Sequence, residues 1–132
     1  MFEYHGWVTV QSSAGDETDQ ESDAAHSAAA AILEGLQTAP GLADIRKVNG
    51  ATQIHIAGLT NRRSGQGDEV VETFIGIGRV APGSYGVLYV RDDEDPSGHE
   101  NEFQMIVMRR GESYSKSDEY LSPCIPVIED AE

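Results

Sequence analysis

A dense group of ionisable side chains in this sequence is the set of carboxylates between residues 92 and 102. They are Asp92, Asp93, Glu94, Asp95, Glu100 and Glu102. Aligning Gly98 with the invariant glycine of a calcium-binding loop places Asp93, Asp95 and Ser97 at ligand positions. The closing position, which needs a bidentate glutamate, then falls on Gln104, so the principal ligand is lacking. We therefore predict a solvated acidic hairpin loop and no metal site, with weak binding of a divalent cation as the alternative.

The histidines are a second group of side chains that could do chemistry. None of the four, His5, His26, His55 and His99, has the spacing of a metal-ligand pair. His5 and His55 fall on strands that a split β-α-β sheet places next to each other, on the side opposite the inward apolar residues. Together with Trp7 they define the alternative function, a small-ligand-binding or enzymatic domain that uses a pocket around these three side chains.

Three features of the sequence could belong to a catalytic or cofactor-binding site. None of them has the position or the neighbouring residues that the chemistry requires. Residues 76–81 spell a relaxed dinucleotide-binding fingerprint but fall at the end of a predicted helix, where close packing explains the glycines better. Residues 99–103 begin like a zinc-protease helix, but Phe103 stands where the second histidine is required. Cys124 has no local signal for an activated thiol. We therefore predict no catalytic residue, no cofactor and no enzymatic activity.

The charge balance restricts the partners of the chain. Nine basic and 23 acidic residues give a formal net charge of −14, which repels nucleic-acid phosphates and anionic lipid. The same charge suits a basic protein partner, or serves solubility alone. Cys124 is the only cysteine, which excludes an intrachain disulfide, and neither a signal peptide nor a membrane-spanning stretch is recognisable. These features predict a cytoplasmic protein.

The length of 132 residues suits a single domain, residues 1–132, in which hydrophobic periodicity predicts seven elements. Predicted strands cover residues 2–10, 43–48, 52–59, 84–91 and 103–110, and predicted helices cover residues 24–37 and 68–79. Asn49-Gly50 is a strong signal for a tight hairpin turn because both residues tolerate a positive φ. The final segment, residues 111–132, is predicted to be an irregular tail.

The element order β-α-β-β-α-β-β predicts an α+β fold. We expect a mostly antiparallel sheet in the split βαβ, or ferredoxin-like, order with one added strand, and two helices on one face. Tyr85, Tyr89 and Arg91 then face away from the helices, and Trp7 joins them from the first strand. Because so many aromatic and apolar groups need a cover, we expect residues 120–127 of the tail to supply most of it and a partner the rest.

Five segments of the chain resemble the immunity protein 7 family of bacterial polymorphic toxin systems. They are residues 81–95 (APGSYGVLYVRDDED), 4–7 (YHGW), 55–61 (HIAGLTN), 101–104 (NEFQ) and 121–126 (LSPCIP). The segments span nearly the whole chain, whereas residues 11–42 have no match. The resemblance implies a protein that protects a toxin-producing cell and its siblings by binding the toxin, which is often a nuclease. It implies no catalytic residues.

The residues and the resemblance together lead to a binding hypothesis. An acidic protein can compete for the cationic site with which a nuclease holds phosphates, and electrostatic steering speeds its association. We expect the toxin to contact the carboxylates of the hairpin loop, with Trp7 or Tyr89 as an apolar anchor. Two alternatives are a purely solvated acidic edge and a homo-oligomer paired through the last strands; we favour a monomer.

Overall fold

The computed structural model describes residues 1–36, 41–61 and 65–123, and within them the chain forms six strands and two helices. In chain order the elements are β1 (Phe2–Val10), α1 (Asp19–Glu34), β2 (Leu42–Val48), β3 (Ala51–Thr60), α2 (Gly65–Val80), β4 (Tyr85–Asp92), β5 (Gln104–Arg109) and β6 (Glu112–Ser117).

The six strands form one sheet with the order β2-β3-β1-β4-β5-β6, and every neighbouring pair is antiparallel. The first four strands in space, β2-β3-β1-β4, have the split βαβ arrangement, so the predicted α+β fold is confirmed. Both helices contribute to one buried cluster with the sheet. Its largest fully buried side chains include Tyr4 and Phe2 from β1, Phe74 and Ile77 from α2, and Ile54 from β3.

The predicted added strand is present as β5. The prediction of an irregular tail was wrong for residues 112–117, which form a further strand, β6, and pair with β5. Most side chains of β6 are exposed, because the strand lies at the edge of the sheet. It therefore lacks the apolar alternation by which a strand is recognised in a sequence. The turn before it is made by Arg110 and Gly111, both with positive φ, 51° and 75°.

Helix α1 begins at Asp19, five residues before its predicted start. Thr18 is the N-cap, and its hydroxyl accepts a hydrogen bond from the Glu21 amide at 3.1 Å. The Glu21 carboxylate accepts one from the Thr18 amide at 3.3 Å, which completes a capping box. Because these polar contacts extend the helix ahead of its apolar stripe, hydrophobic periodicity alone placed the start too late.

The Asn49-Gly50 turn between β2 and β3 is confirmed. Asn49 has φ 53° and Gly50 has φ 85°, the two positive values that a type I′ hairpin turn requires. The turn sets the register of the hairpin, in which Val48 lies opposite Ala51 and Ile45 opposite Ile54. Ile45 and Ile54 consequently point to the helix side and join the core.

Replacing Phe74 by alanine tests whether the core lies between the helices and the sheet. Phe74 is fully buried on α2, so Phe74→Ala should lower the free energy of unfolding by about 3–5 kcal/mol, through lost burial and a residual cavity. Urea denaturation measures this loss. Val80→Ala, at an exposed position of the same helix, should lower it far less, and equal losses would contradict this description of the core.

Candidate functional site

The acidic loop, defined as residues 92–102, connects β4 to β5 at one end of the sheet. Its position follows from strand pairing, because Phe2 at the start of β1 lies opposite Asp92 at the end of β4. β5 then runs away from the loop, so the Arg110-Gly111 turn lies at the opposite end of the sheet. All six predicted carboxylates therefore lie together at one end.

Two of the predicted carboxylates hold the loop in shape. The Asp92 carboxylate accepts a hydrogen bond from the Glu94 amide at 3.0 Å. The Asp95 carboxylate accepts two bonds from Ser97, from its amide at 2.8 Å and from its hydroxyl at 2.6 Å. Such side-chain to backbone bonds stabilise turns. Asp92 and Asp95 consequently have a structural role in addition to their charge.

The remaining carboxylates of the loop differ in exposure and in partners. The Asp93 amide donates to the Met1 carbonyl at 3.1 Å, and the Asp93 carboxylate forms an ion pair with the terminal ammonium of Met1. Glu94 and Glu100 are exposed to solvent. Glu94 and Glu100 are therefore the carboxylates best placed to meet a partner.

His99 is a member of the acidic loop that the sequence prediction did not include. Its Nδ1 atom hydrogen-bonds to the Glu102 carboxylate. This bond is the main cause that raises the pKa of His99 above its usual 6.5, and the charges of Glu102, Asp95 and Glu100 raise it further. In the sequence, this contact is indicated by the spacing of three residues between His99 and Glu102.

Asp118 and Glu119, which follow β6, also lie near the acidic loop. No structure is predicted for them from the sequence, because an irregular tail is expected there. Asp118 is buried; its amide donates to the Phe103 carbonyl at 2.9 Å and its carboxylate accepts from the Leu121 amide at 2.6 Å. Glu119 is exposed. A cleft of about 460 Å³ separates this segment from the acidic loop, and Glu100, Glu102 and Glu119 are among its lining residues.

The outer face, meaning the side of the sheet opposite the helices, carries the predicted aromatic anchors. Trp7 is 41% exposed and meets Tyr85 edge-on, with ring centroids 6.2 Å apart. Tyr89 is half-buried and packs edge-on against Phe103 at 6.1 Å, beside the end of the acidic loop. Tyr89 therefore borders the loop, whereas Trp7, opposite Val87, lies further along the sheet.

The predicted cover of the outer face is not supplied by Tyr120, which is 93% exposed. Leu121 is exposed as well. Ser122 does contact the chain beside the acidic loop, since its hydroxyl accepts a hydrogen bond from the Phe103 amide at 3.0 Å, and Pro123 is exposed. Residues 124–127 of the predicted cover lie outside the described residues.

The predicted pocket around His5, Trp7 and His55 is an open depression of about 380 Å³ on the outer face. His55 lies opposite Trp7 in the strand register, and His5 lies opposite Ala57. His5 Nε2 is 2.8 Å from the Glu3 carboxylate. Much of the lining is apolar, with Trp7, Leu42, Ile56 and Ala57 among its residues. The depression is therefore better suited to apolar contact than to a polar substrate.

Comparison with known proteins identifies the family. The model of the family described as immunity protein 7 matches residues 1–130. The chain belongs to this family. No curated protein and no solved structure gives a significant match. The resemblance noted in the sequence is therefore confirmed, and membership of the immunity protein 7 family implies a protein of a toxin system whose partner is a toxin.

The described residues of this immunity protein contain neither a cluster of metal ligands nor a membrane-spanning helix. Across residues 1–36, 41–61 and 65–123, no group of three or more His, Cys, Asp or Glu side chains is arranged to hold a metal ion. Among the helices of these same segments, none has both the length and the apolar composition that a membrane crossing needs.

The His99–Glu102 contact of the immunity protein should make its stability depend on pH. Because the folded-state pKa of His99 is raised, its contribution to stability is present below the unfolded value of about 6.5 and is lost as the pH rises through the folded value. Glu102→Gln should lower the pKa of His99, as followed by the NMR shift of its ring protons. Glu72→Gln, at an exposed position on α2, is the matched control, and an unchanged midpoint in Glu102→Gln would contradict the assignment.

Proposed function

We propose that this immunity protein neutralises a toxin by binding it through the acidic loop and the adjoining aromatic part of the outer face. The observation that carries the proposal is the grouping of six carboxylates on one internally bonded loop at one end of the sheet. The net charge of −14 gives this end the same sign as the rest of the molecule. A basic partner is therefore attracted from a distance and meets the densest charge at the loop.

A nuclease is the toxin class whose chemistry best matches this surface. A nuclease binds the phosphates of its substrate with cationic groups, and the carboxylates of the acidic loop can occupy the same cationic surface. Steering between opposite charges raises association rates by roughly 10–10³-fold at low salt. Fast capture suits a protein that must reach the toxin before the toxin reaches nucleic acid.

The aromatic side chains supply the apolar part of the contact. Trp7 has an exposed ring and Tyr89 borders the acidic loop. Aromatic residues are enriched among the side chains that dominate binding energy, because they bury a large area when water is excluded. Tyr85, which packs against Trp7, extends this anchor. The neighbouring depression around His5, Trp7 and His55 can accommodate an apolar side chain of the toxin.

Inhibition by binding requires only the folded chain and its partner. We infer that the protein acts as a monomer in the cytoplasm of the toxin-producing cell, binds the toxin one to one, and uses neither a cofactor nor a catalytic step. The carboxylates compete with the substrate of the toxin for the same positive surface, so the chain blocks the toxin without altering it chemically.

Co-expression with the toxin domain encoded beside this gene tests the proposed immunity. Cells that express the toxin alone should stop growing, and cells that also express this chain should grow. Calorimetry on the purified pair should show one-to-one binding that weakens as the salt concentration rises. Failure of both rescue and binding would contradict the proposal, whereas binding that is insensitive to salt would contradict the acidic loop as the contact.

Neutralising Glu94 and Glu100 tests the assignment of the surface, because both are exposed and removing their charge leaves the bonds of Asp92 and Asp95 in place. The Glu94→Gln/Glu100→Gln double variant should bind the toxin about tenfold more weakly at low salt, mainly through slower association. Stopped-flow fluorescence measures the rate.

The matched control for this variant removes two charges at the other end of the sheet. Asp16 follows β1 and Glu112 begins β6, and both are exposed. Asp16→Asn/Glu112→Gln changes the net charge by the same amount and should slow association far less. Equal slowing by the two double variants would show that only the total charge matters.

A further inference from the structure

Arg91 is a buried cation beside the acidic loop. It lies on β4, next to the loop's first residue, and is 5% exposed. Its side chain belongs to the outer face, where strand pairing places it opposite Glu3 of β1. A guanidinium group this deeply buried is uncommon and costs free energy unless it is paired.

The contacts of the guanidinium group reach both the loop and the first strand. Nη1 donates a hydrogen bond to the Glu100 carbonyl at 3.2 Å. Nη2 lies 3.8 Å from the Glu3 carboxylate. The buried Nε atom has no hydrogen-bond partner in the described part of the protein. Arg91 therefore links the returning limb of the acidic loop, which is the part that leads into β5, to strands β1 and β4.

The acidic loop has a physical need for such a link. Six carboxylates close together repel one another and favour an open, mobile loop. The Asp92 and Asp95 hydrogen bonds order the first half of the loop. In the second half, Arg91 bonds the Glu100 backbone and places a positive charge at the base of the loop, beside Asp92 in the sequence.

We propose that Arg91 is the positioning residue of the toxin-binding loop: it holds the limb at Glu100 against the sheet and so keeps the carboxylates in one arrangement before the toxin arrives. This inference rests on the proposed function, since it assigns a role within that contact. A loop ordered in advance loses less conformational entropy on binding, which strengthens the complex. Arg91 itself is buried and acts through the loop.

Hydrogen exchange of the free protein tests the first half of the inference. Five loop amides, those of Glu94, Asp95, Ser97, Gly98 and Glu102, donate hydrogen bonds within the loop and report its order. Arg91→Met keeps most of the aliphatic stem and removes the charge and the donors. It should speed exchange of the Glu102 amide, the one in the limb that Arg91 holds, by about tenfold or more, while amides in the core strands keep their rates.

The conservative variant and the control separate positioning from folding. Arg91→Lys retains the charge without the planar set of donors and should restore slow exchange in part. If Arg91→Met does not fold, Arg91→Lys against the unaltered chain carries the test. Arg109→Met removes an exposed cation from β5 and should leave the loop amides unchanged.

Binding to the toxin completes the experiment, and three outcomes are informative. Faster loop exchange in Arg91→Met together with about fivefold or greater loss of affinity supports the inference. Loop exchange equal to that of Arg109→Met, or faster exchange across the whole sheet, overturns it. Faster loop exchange with unchanged affinity also overturns it, whereas a failure of the proposed function shows separately, as unchanged association in the Glu94→Gln/Glu100→Gln variant.

Discussion

The central strand β1 pairs on both of its edges, and this double pairing fixes where the neighbouring strands and the acidic loop lie. β3 lies along one side of β1 and β4 along the other, both antiparallel. Alternation along β1 sends Phe2, Tyr4 and Val8 into the core and leaves Glu3, His5 and Trp7 on the outer face. Because a slip of one residue would reverse every side chain, the burial of the large aromatic residues fixes the register.

That register also determines where the functional groups lie. With Phe2 opposite Asp92, the β4–β5 connection must emerge at the start of β1, so the acidic loop lies beside Glu3 and Met1. The same pairing places Glu3 opposite Arg91 and His5 opposite Tyr89. A single packing requirement thereby brings the carboxylates, the buried guanidinium and the aromatic surface to adjoining positions, although these residues are far apart in the sequence.

The acidic loop combines two properties that normally conflict. Dense negative charge favours partners of opposite sign but tends to disorder the chain that carries it. In this loop, three of the carboxylates also order the chain, since Asp92 and Asp95 accept hydrogen bonds from loop amides and Glu102 bonds His99. Exposed carboxylates such as Glu94 and Glu100 are then presented on a shaped loop, which suits recognition of one surface better than attraction to any cation.

The elements of this fold that are visible in the sequence are those whose apolar residues follow a period. β1 alternates, α2 repeats its apolar residues along one face, and Asn49-Gly50 has the chemistry of a tight turn, so all three could be predicted. β6 could not, because a polar edge strand is defined by the backbone of its neighbour and carries no pattern of its own.

The candidate site was predictable to a similar extent. The acidic run is visible as composition, and Tyr89 and Trp7 follow from strand alternation. The roles of His99, Asp118 and Arg91 depend on contacts made only after folding: a bond to Glu102, a turn closed at Leu121 and a carbonyl reached across the loop. Arg91 shows the difference most clearly, since alternation predicts its face but not its burial or its partner.

Hydrogen exchange of the toxin complex, compared with that of the free immunity protein, shows whether the toxin contacts the acidic loop. We expect toxin binding to slow exchange at residues 92–102 and along the adjoining ends of β1 and β4, while the amides of α1 and α2 keep their rates. Unchanged exchange in the acidic loop, with protection on the helices instead, would contradict it and would place the toxin on the opposite side of the molecule.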